Sequence, residues 1–224
     1  MKPAQQLLLL AALFAMVGCQ TVESPPRGNF LDSYHGFWRE SGLNGALVHE
    51  GNVARMNRYE NVYLEDVSVR GMVLEHHNGR IRRAAPDREE ADMLAEAFEA
   101  ALRKSFGQSH TLVSEPIPGS LTVRAAVVEM EPNTPILFAA GYTPASFVAT
   151  SALWAVRGDF PGSGTVSIHA EIIDSETKER FYALIDEDQT GKTEVVGGLS
   201  RWGRAKKAFS KWSRELSEMA ANGG

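Results

Sequence analysis

The chain has a single cysteine, Cys19, among 224 residues. With no second thiol it can neither close an internal disulfide nor build a thiolate metal site, so the fold must stand on its packed core. Basic residues are also in deficit, 23 Lys and Arg against 28 Asp and Glu, for a formal net charge of −5. Nucleic-acid binding needs a basic face that neutralises phosphates, so that class is set aside. The apolar run at the amino terminus, Leu7 to Val17, is short as well. As a helix it reaches roughly 16 Å, about half of a bilayer's ~30 Å hydrocarbon core, too little for a spanning anchor.

What that run does have is a charged start at Lys2 and a sequel, Met16-Val17-Gly18-Cys19. An apolar segment after a basic residue is the layout of a secretory signal, a targeting segment outside the fold. The four residues that follow resemble the lipobox of bacterial lipoprotein precursors, with Met16 where Leu is usual and Val17 larger than the common Ala or Ser. The resemblance implies cleavage before Cys19, a diacylglyceryl thioether on its sulfur and an acylated amino group. At ~0.8 kcal/mol per buried methylene, one chain binds marginally and three hold durably. Gln20 in place of Asp implies, by the sorting rule of Gram-negative lipoproteins, transfer to the outer membrane, with the domain facing the periplasm.

Residues 1–18 are therefore expected to be signal peptide, and 19–29, polar with Pro25-Pro26, an extended tether. Residues 30–224 form one domain, a size that buries a sizeable core. Asp87 after Pro86, with Glu90 three residues on, has the form of a capping box. Leu94, Ala97, Phe98, Ala101, Leu102 and Phe106 then recur at helical spacing until Gly107. Leu121 to Val127 and Val166 to Ile172 alternate and read as half-buried strands, with an earlier strand at Asn61 to Val69. Asp174 to Lys178 turns the chain into a returning strand through Phe181, Ala183 and Ile185. Trp202, Ala205, Phe209, Trp212, Leu216 and Met219 make the stripe of a closing helix. The expected fold is α+β, a mainly antiparallel sheet with two main helices packed on one face.

Four segments carry a second resemblance: Asn29 to Tyr34, Tyr59 to Val67, Leu121 to Pro132 and Ser167 to Thr177. In this order and spacing the chain resembles a bacterial lipoprotein family, domain of unknown function 3313, over about residues 29–190. The resemblance implies class and location and carries over no catalytic residue. One departure is Thr177-Lys178, where such proteins tend to have Thr-Gly, which is expected to alter the turn type.

Motifs for chemistry are thin. Gly191-Lys192-Thr193 resembles the end of a phosphate loop, but Asp186 stands where its first glycine belongs. His76 and His77 are adjacent and lack a partner at ligand spacing, and Arg80, Arg82 and Arg83 read as a solvated basic loop. Gly162-Ser163-Gly164 precedes a strand and lacks the nucleophile-elbow spacing. The pairs Glu65-Asp66, Glu89-Glu90 and Asp186 to Asp188 are caps or neighbours, not carboxylates held across a cleft. The sequence thus points to no enzyme, no metal and no cofactor beyond the lipid on Cys19. A hydrolase would need a serine or carboxylate meeting a histidine in a cleft.

Pro132 to Val156 carries no charge over 25 residues and includes Phe138, Tyr142, Phe147 and Trp154. It is either a buried connection or an exposed apolar contact surface. The closing helix places Arg201, Arg204, Lys206, Lys207, Lys211 and Arg214 ahead of its first acid, Glu215, a membrane-surface candidate beside the ordinary reading of a solvated face. The expected role is envelope structure or assembly through a protein partner or self-association. The alternative is carriage of a small apolar or lipidic ligand.

Overall fold

The computed structural model describes residues 30–39, 46–70, 88–133, 164–189 and 200–223. The lipobox, the tether, Asp87, the His76-His77 and Arg80–Arg83 segment, residues 134–163 with Phe138, Tyr142, Phe147 and Trp154, and Gly191 to Thr193 all lie outside them.

Seven strands form one sheet: β1 Trp38–Arg39, β2 Leu47–Glu50, β3 Asn61–Leu64, β4 Thr111–Val113, β5 Ser120–Glu131, β6 Thr165–Asp174 and β7 Arg180–Gln189, in the order β1-β2-β7-β6-β5-β3-β4. A 3₁₀ helix spans Val53–Arg58, α1 Arg88–Phe106 and α2 Gly203–Asn222. The β1 to β2, β2 to β7, β7 to β6 and β6 to β5 pairings are antiparallel, but β3 lies parallel to both β4 and β5. The sheet is therefore mixed. The connection through α1 carries the chain from the end of β3 back to its start, so it re-enters in the same direction. The strand expected over Asn61 to Val69 ends at Leu64, with an isolated bridge from Ser68 to Ala126 beyond it.

One face packs on both helices, as the two stripes require. Leu94, Phe98, Leu102 and Phe106 of α1 and Phe209, Trp212 and Leu216 of α2 join Leu121, Val123, Ala125, Val127, Val166, Ile168, Ala170 and Ile172 in the main core. Phe98 and Phe209 stack with centroids 4.7 Å apart. Each Val, Leu, Ile or Phe among them contributes roughly 1.5–3 kcal/mol by leaving water. The Trp212 indole N–H donates to Asp186 Oδ2 at 2.6 Å and ties α2 to β7.

The other face departs from expectation. β5 and β6 are not half-buried: Thr122, Ala126, His169 and Glu171 are buried like their apolar neighbours. Residues 30–37 form a strap on this face, over His169 and His49, and build a second cluster of Leu31, Phe37, Leu47, Ala183 and Ile185, with Phe30 and Tyr34 packed against it.

The turn between β6 and β7 is closed by Asp174, whose Oδ1 accepts the N–H groups of Glu176 and Thr177 at 2.8 Å. Lys178 takes φ 60 there. A lysine holds the left-handed backbone that a glycine adopts without strain.

Candidate functional site

The richest polar arrangement of the described residues lies under that strap. In strand register, His169 stands beside Ala126 and Ile185, and Ile185 beside Leu47. One row on, Arg124, Glu171, Ala183 and His49 run side by side across β5, β6, β7 and β2.

Two strap aromatics sit on the two histidines. The Tyr34 and His169 rings meet edge-on at 5.5 Å, the Phe37 and His49 rings at 5.8 Å, and Tyr34 and Phe37 lie 6.2 Å apart. The Tyr34 hydroxyl oxygen accepts the N–H groups of Phe30 at 3.0 Å and Leu31 at 3.2 Å. The same oxygen lies 3.1 Å from His169 Nδ1, within hydrogen-bond distance. Among the described residues His169 Nε2 has no hydrogen-bond partner, nor has His49 Nδ1. Burial holds His169 neutral and pushes its pKa down to about 4; burial and then the Arg180 charge also lower His49. Gly36, at φ 81, brings the strap so close that an added Cβ would lie 3.2 Å from His49 Cδ2.

Glu171, 2% exposed, centres the polar row. Arg124 Nη1 donates to its Oε1 at 2.7 Å and Arg180 Nε to its Oε2 at 2.8 Å. Each arginine reaches on to the strap. Arg180 Nη1 donates to Ser33 O at 2.9 Å, and Arg124 lies 5.4 Å from the Phe30 ring centroid and 3.5 Å from Asp32 Oδ2. Glu65 adds a carboxylate 3.3 Å from Arg124 Nε. A buried carboxylate is tolerated when both oxygens are taken in this way.

The basic stripe of α2 is not a free cationic face. Arg204 is buried at 4% exposure and leaves the membrane-surface set. Arg201 pairs with Glu90 at 2.8 Å, Lys211 stands 3.8 Å from both Asp186 and Glu215, and Arg214 stands 3.9 Å from Glu218. Lys206 and Lys207 are exposed. Spacing along α2 gave no sign of Glu90 and Asp186, which α1 and β7 supply.

At the base of the uncharged segment, Asn133 ties three stretches of chain. Its Nδ2 donates to Ser200 O at 2.7 Å, its Oδ1 accepts Gly164 N–H at 2.8 Å, and its N–H donates to Arg201 O at 2.9 Å. A Cβ on Gly164 would lie 2.3 Å from Glu131 O, so only glycine passes there. Beside it, a gap of about 10 Å³ under Trp202 and Arg204 has room for one water.

Nothing described assembles a catalytic set. Ser109 Oγ meets His110 Nδ1 at 2.8 Å, in an open depression of about 430 Å³ that also borders Tyr59 and Glu60. These are sequence neighbours on the surface, and no carboxylate bonds the ring's other nitrogen as an acid–base relay requires. Among the described residues no three acidic, His or Cys side chains are grouped to hold a metal ion, and no helix is long and apolar enough to cross a membrane.

Sequence reasoning passed over Tyr34, His49, Arg124, His169, Glu171 and Arg180 as site residues. The signal was present in another form: Tyr34, Glu65, Arg124, His169 and Glu171 fall one or two to each of the four segments that carry the family resemblance.

No curated protein matches the chain. Several solved structures are similar to it at low identity. A PelC dodecamer from Paraburkholderia phytofirmans is 11% identical with a TM-score of 0.42, over 79% of this chain and 97% of that one. A DUF4136 family protein from Bacteroides thetaiotaomicron is 12% identical with a TM-score of 0.36, over 79% and 97%. A DUF330 protein from Xanthomonas campestris is 10% identical with a TM-score of 0.37, over 71% and 81%. Likenesses of this size carry no argument about function. The model of the family described as "Protein of unknown function (DUF3313)" matches residues 27–216, in accord with the resemblance read from the sequence, and the chain belongs to that family.

Proposed function

We propose that this DUF3313 protein is a lipid-anchored, non-enzymatic module of the bacterial envelope, held on the outer membrane by Cys19, facing the periplasm, and acting in structure or assembly by binding a protein partner or a second copy of itself. The observation that carries the reading is the strap. The chain enters the fold at Phe30, eleven residues after Cys19, and there it is fastened by Tyr34 to His169, by Ser33 to Arg180 and by Phe30 to Arg124. A tether of that length reaches at most ~40 Å, so the domain is kept close to the membrane that bears the lipid. Of the basic residues around the closing helix, Arg204 is buried and Arg201, Lys211 and Arg214 stand beside carboxylates, so the reading does not rest on them. Asn133, within the uncharged stretch 132–156, joins Gly164, Ser200 and Arg201, and the composition of that stretch is of the kind a partner surface uses.

The test is metabolic labelling of the full chain with an alkyne fatty acid, followed by membrane fractionation and crosslinking. Wild type is expected to take up label, to sediment with the outer membrane and to trap a discrete partner or multimer. Cys19→Ser is expected to lose label and membrane association. Unlabelled wild type refutes the anchor, and the absence of any crosslinked species refutes the interaction module.

A further inference from the structure

The geometry points to an acid-released clasp: protonating the two histidines beneath residues 30–37 lifts the strap off the sheet and lengthens the link between domain and anchor. The placement of the groups carries this. The strap's aromatic anchors each rest on one histidine, Tyr34 on His169 and Phe37 on His49. His169 is fully buried. Its Nδ1 lies 3.1 Å from the Tyr34 hydroxyl, which also holds the N–H groups of Phe30 and Leu31. An imidazolium there would bury a charge whose Nε2–H lacks an acceptor among the described residues. Lifting the strap lets water reach that charge, so protonation favours the open form.

The charged groups around the site do not rescue the cation. From β5 and β7 the guanidinium groups of Arg124 and Arg180 face the same layer, and both oxygens of Glu171 on β6 are already engaged by them. Glu129 and Glu187 stand one row away beside Ser167, and the strap itself brings Asp32, paired with Arg124, and His35, whose charge opposes that of His49. On β2, His49 is held neutral by burial and by Arg180. With the pKa of His169 at about 4 under the strap and near 6.5 when exposed, the opening equilibrium rises on the order of 50- to 100-fold between pH 7.5 and 4.5.

The two faces of the sheet differ in a way that lets the strap leave alone. Its apolar cluster is separate from the main core, which is closed by α1 and α2 on the opposite face. Release of residues 30–37 would extend the chain between Cys19 and β1 by roughly 25–30 Å. That consequence rests on the anchor proposed above; the clasp itself does not.

Hydrogen–deuterium exchange of the full chain in detergent, corrected for intrinsic rates, reads the clasp directly. Wild type is expected to lose protection at Leu31 to Phe37 between pH 7.5 and 4.5 by that factor, while amides of β5 and β6 stay protected. His169→Asn keeps an acceptor near the place of Nδ1 without titrating, and is expected to remove most of the pH dependence. Tyr34→Phe is expected to expose the strap already at pH 7.5. The proposal is overturned if the wild-type strap stays protected at pH 4.5, if it opens only with the whole domain, or if His169→Asn opens at the same pH as wild type. Loss of lipid labelling at Cys19 would leave all these readings unchanged, so the anchor and the clasp fail separately.

Discussion

Replacing Glu171 by Gln removes one negative charge from a site where two guanidinium groups converge and almost no water reaches. Breaking a buried ion pair from one side costs roughly 3–5 kcal/mol, because the partner charge stays desolvated. Here the arginines have some recourse. Their side chains are 23% and 16% exposed, and Arg124 keeps Glu65 at 3.3 Å and Asp32 at 3.5 Å. The cost should therefore fall below that range, at about 2–3 kcal/mol, with the Gln amide now presenting a donor to one of two donors. In a domain of this size that lowers Tm by roughly 5–10 °C. Urea denaturation followed by far-UV circular dichroism measures it, with an unchanged dependence on denaturant as the sign that the same fold is being melted. Glu65→Gln is the control, since Glu65 is 43% exposed and a surface partner is worth at most ~1 kcal/mol. If Glu171→Gln costs less than ~0.5 kcal/mol, or no more than Glu65→Gln, the polar row does not hold the strap and the argument built on it fails.

Stability should also fall with acid. The folded pKa of His169, about 4, lies below its unfolded value of 6.5, so its neutral form contributes above pH 6.5 and the contribution is lost as pH falls from 6.5 toward 4. The full loss is about 3 kcal/mol, at ~1.4 kcal/mol for each tenfold in proton affinity, and denaturation curves at pH 7 and pH 4 for wild type and His169→Asn isolate it. Trp212→Phe removes the indole donor to buried Asp186 while keeping an aromatic ring, and should cost about 1–3 kcal/mol in the same urea assay. Lys178→Gly relieves a left-handed lysine at the turn and should raise Tm, by about 0.5–1 kcal/mol of stability; a lower Tm would show that the turn is not strained.

The helices were legible because their signal is local. Leu94 to Phe106 and Trp202 to Leu216 repeat at the helical period, and any chain that buries such a stripe must place it against a second layer. The turn at Asp174 was legible for the same reason, as a side chain that bonds its own backbone two and three residues on. Alternation in β5 and β6 identified strands, and the burial of Thr122, His169 and Glu171 on the outer row went unread because Thr, His and Glu look solvent-facing until something covers them. The segment that lies over His169 and His49, residues 30–37, has no periodicity to announce it.

By itself, then, the sequence determined the two amphipathic helices, the strand pair and its turn, the family, and a chemical expectation for Cys19. All of these but the family, which rests on four segments in order along the chain, depend on neighbours within a few residues. Only the tertiary structure decided that β3 runs parallel, that Arg204 is buried while Glu90 and Asp186 reach the basic helix, and that Tyr34 meets His169 135 residues away. Those outcomes depend on which surfaces meet, and the charge or polarity of a side chain does not say what it will face.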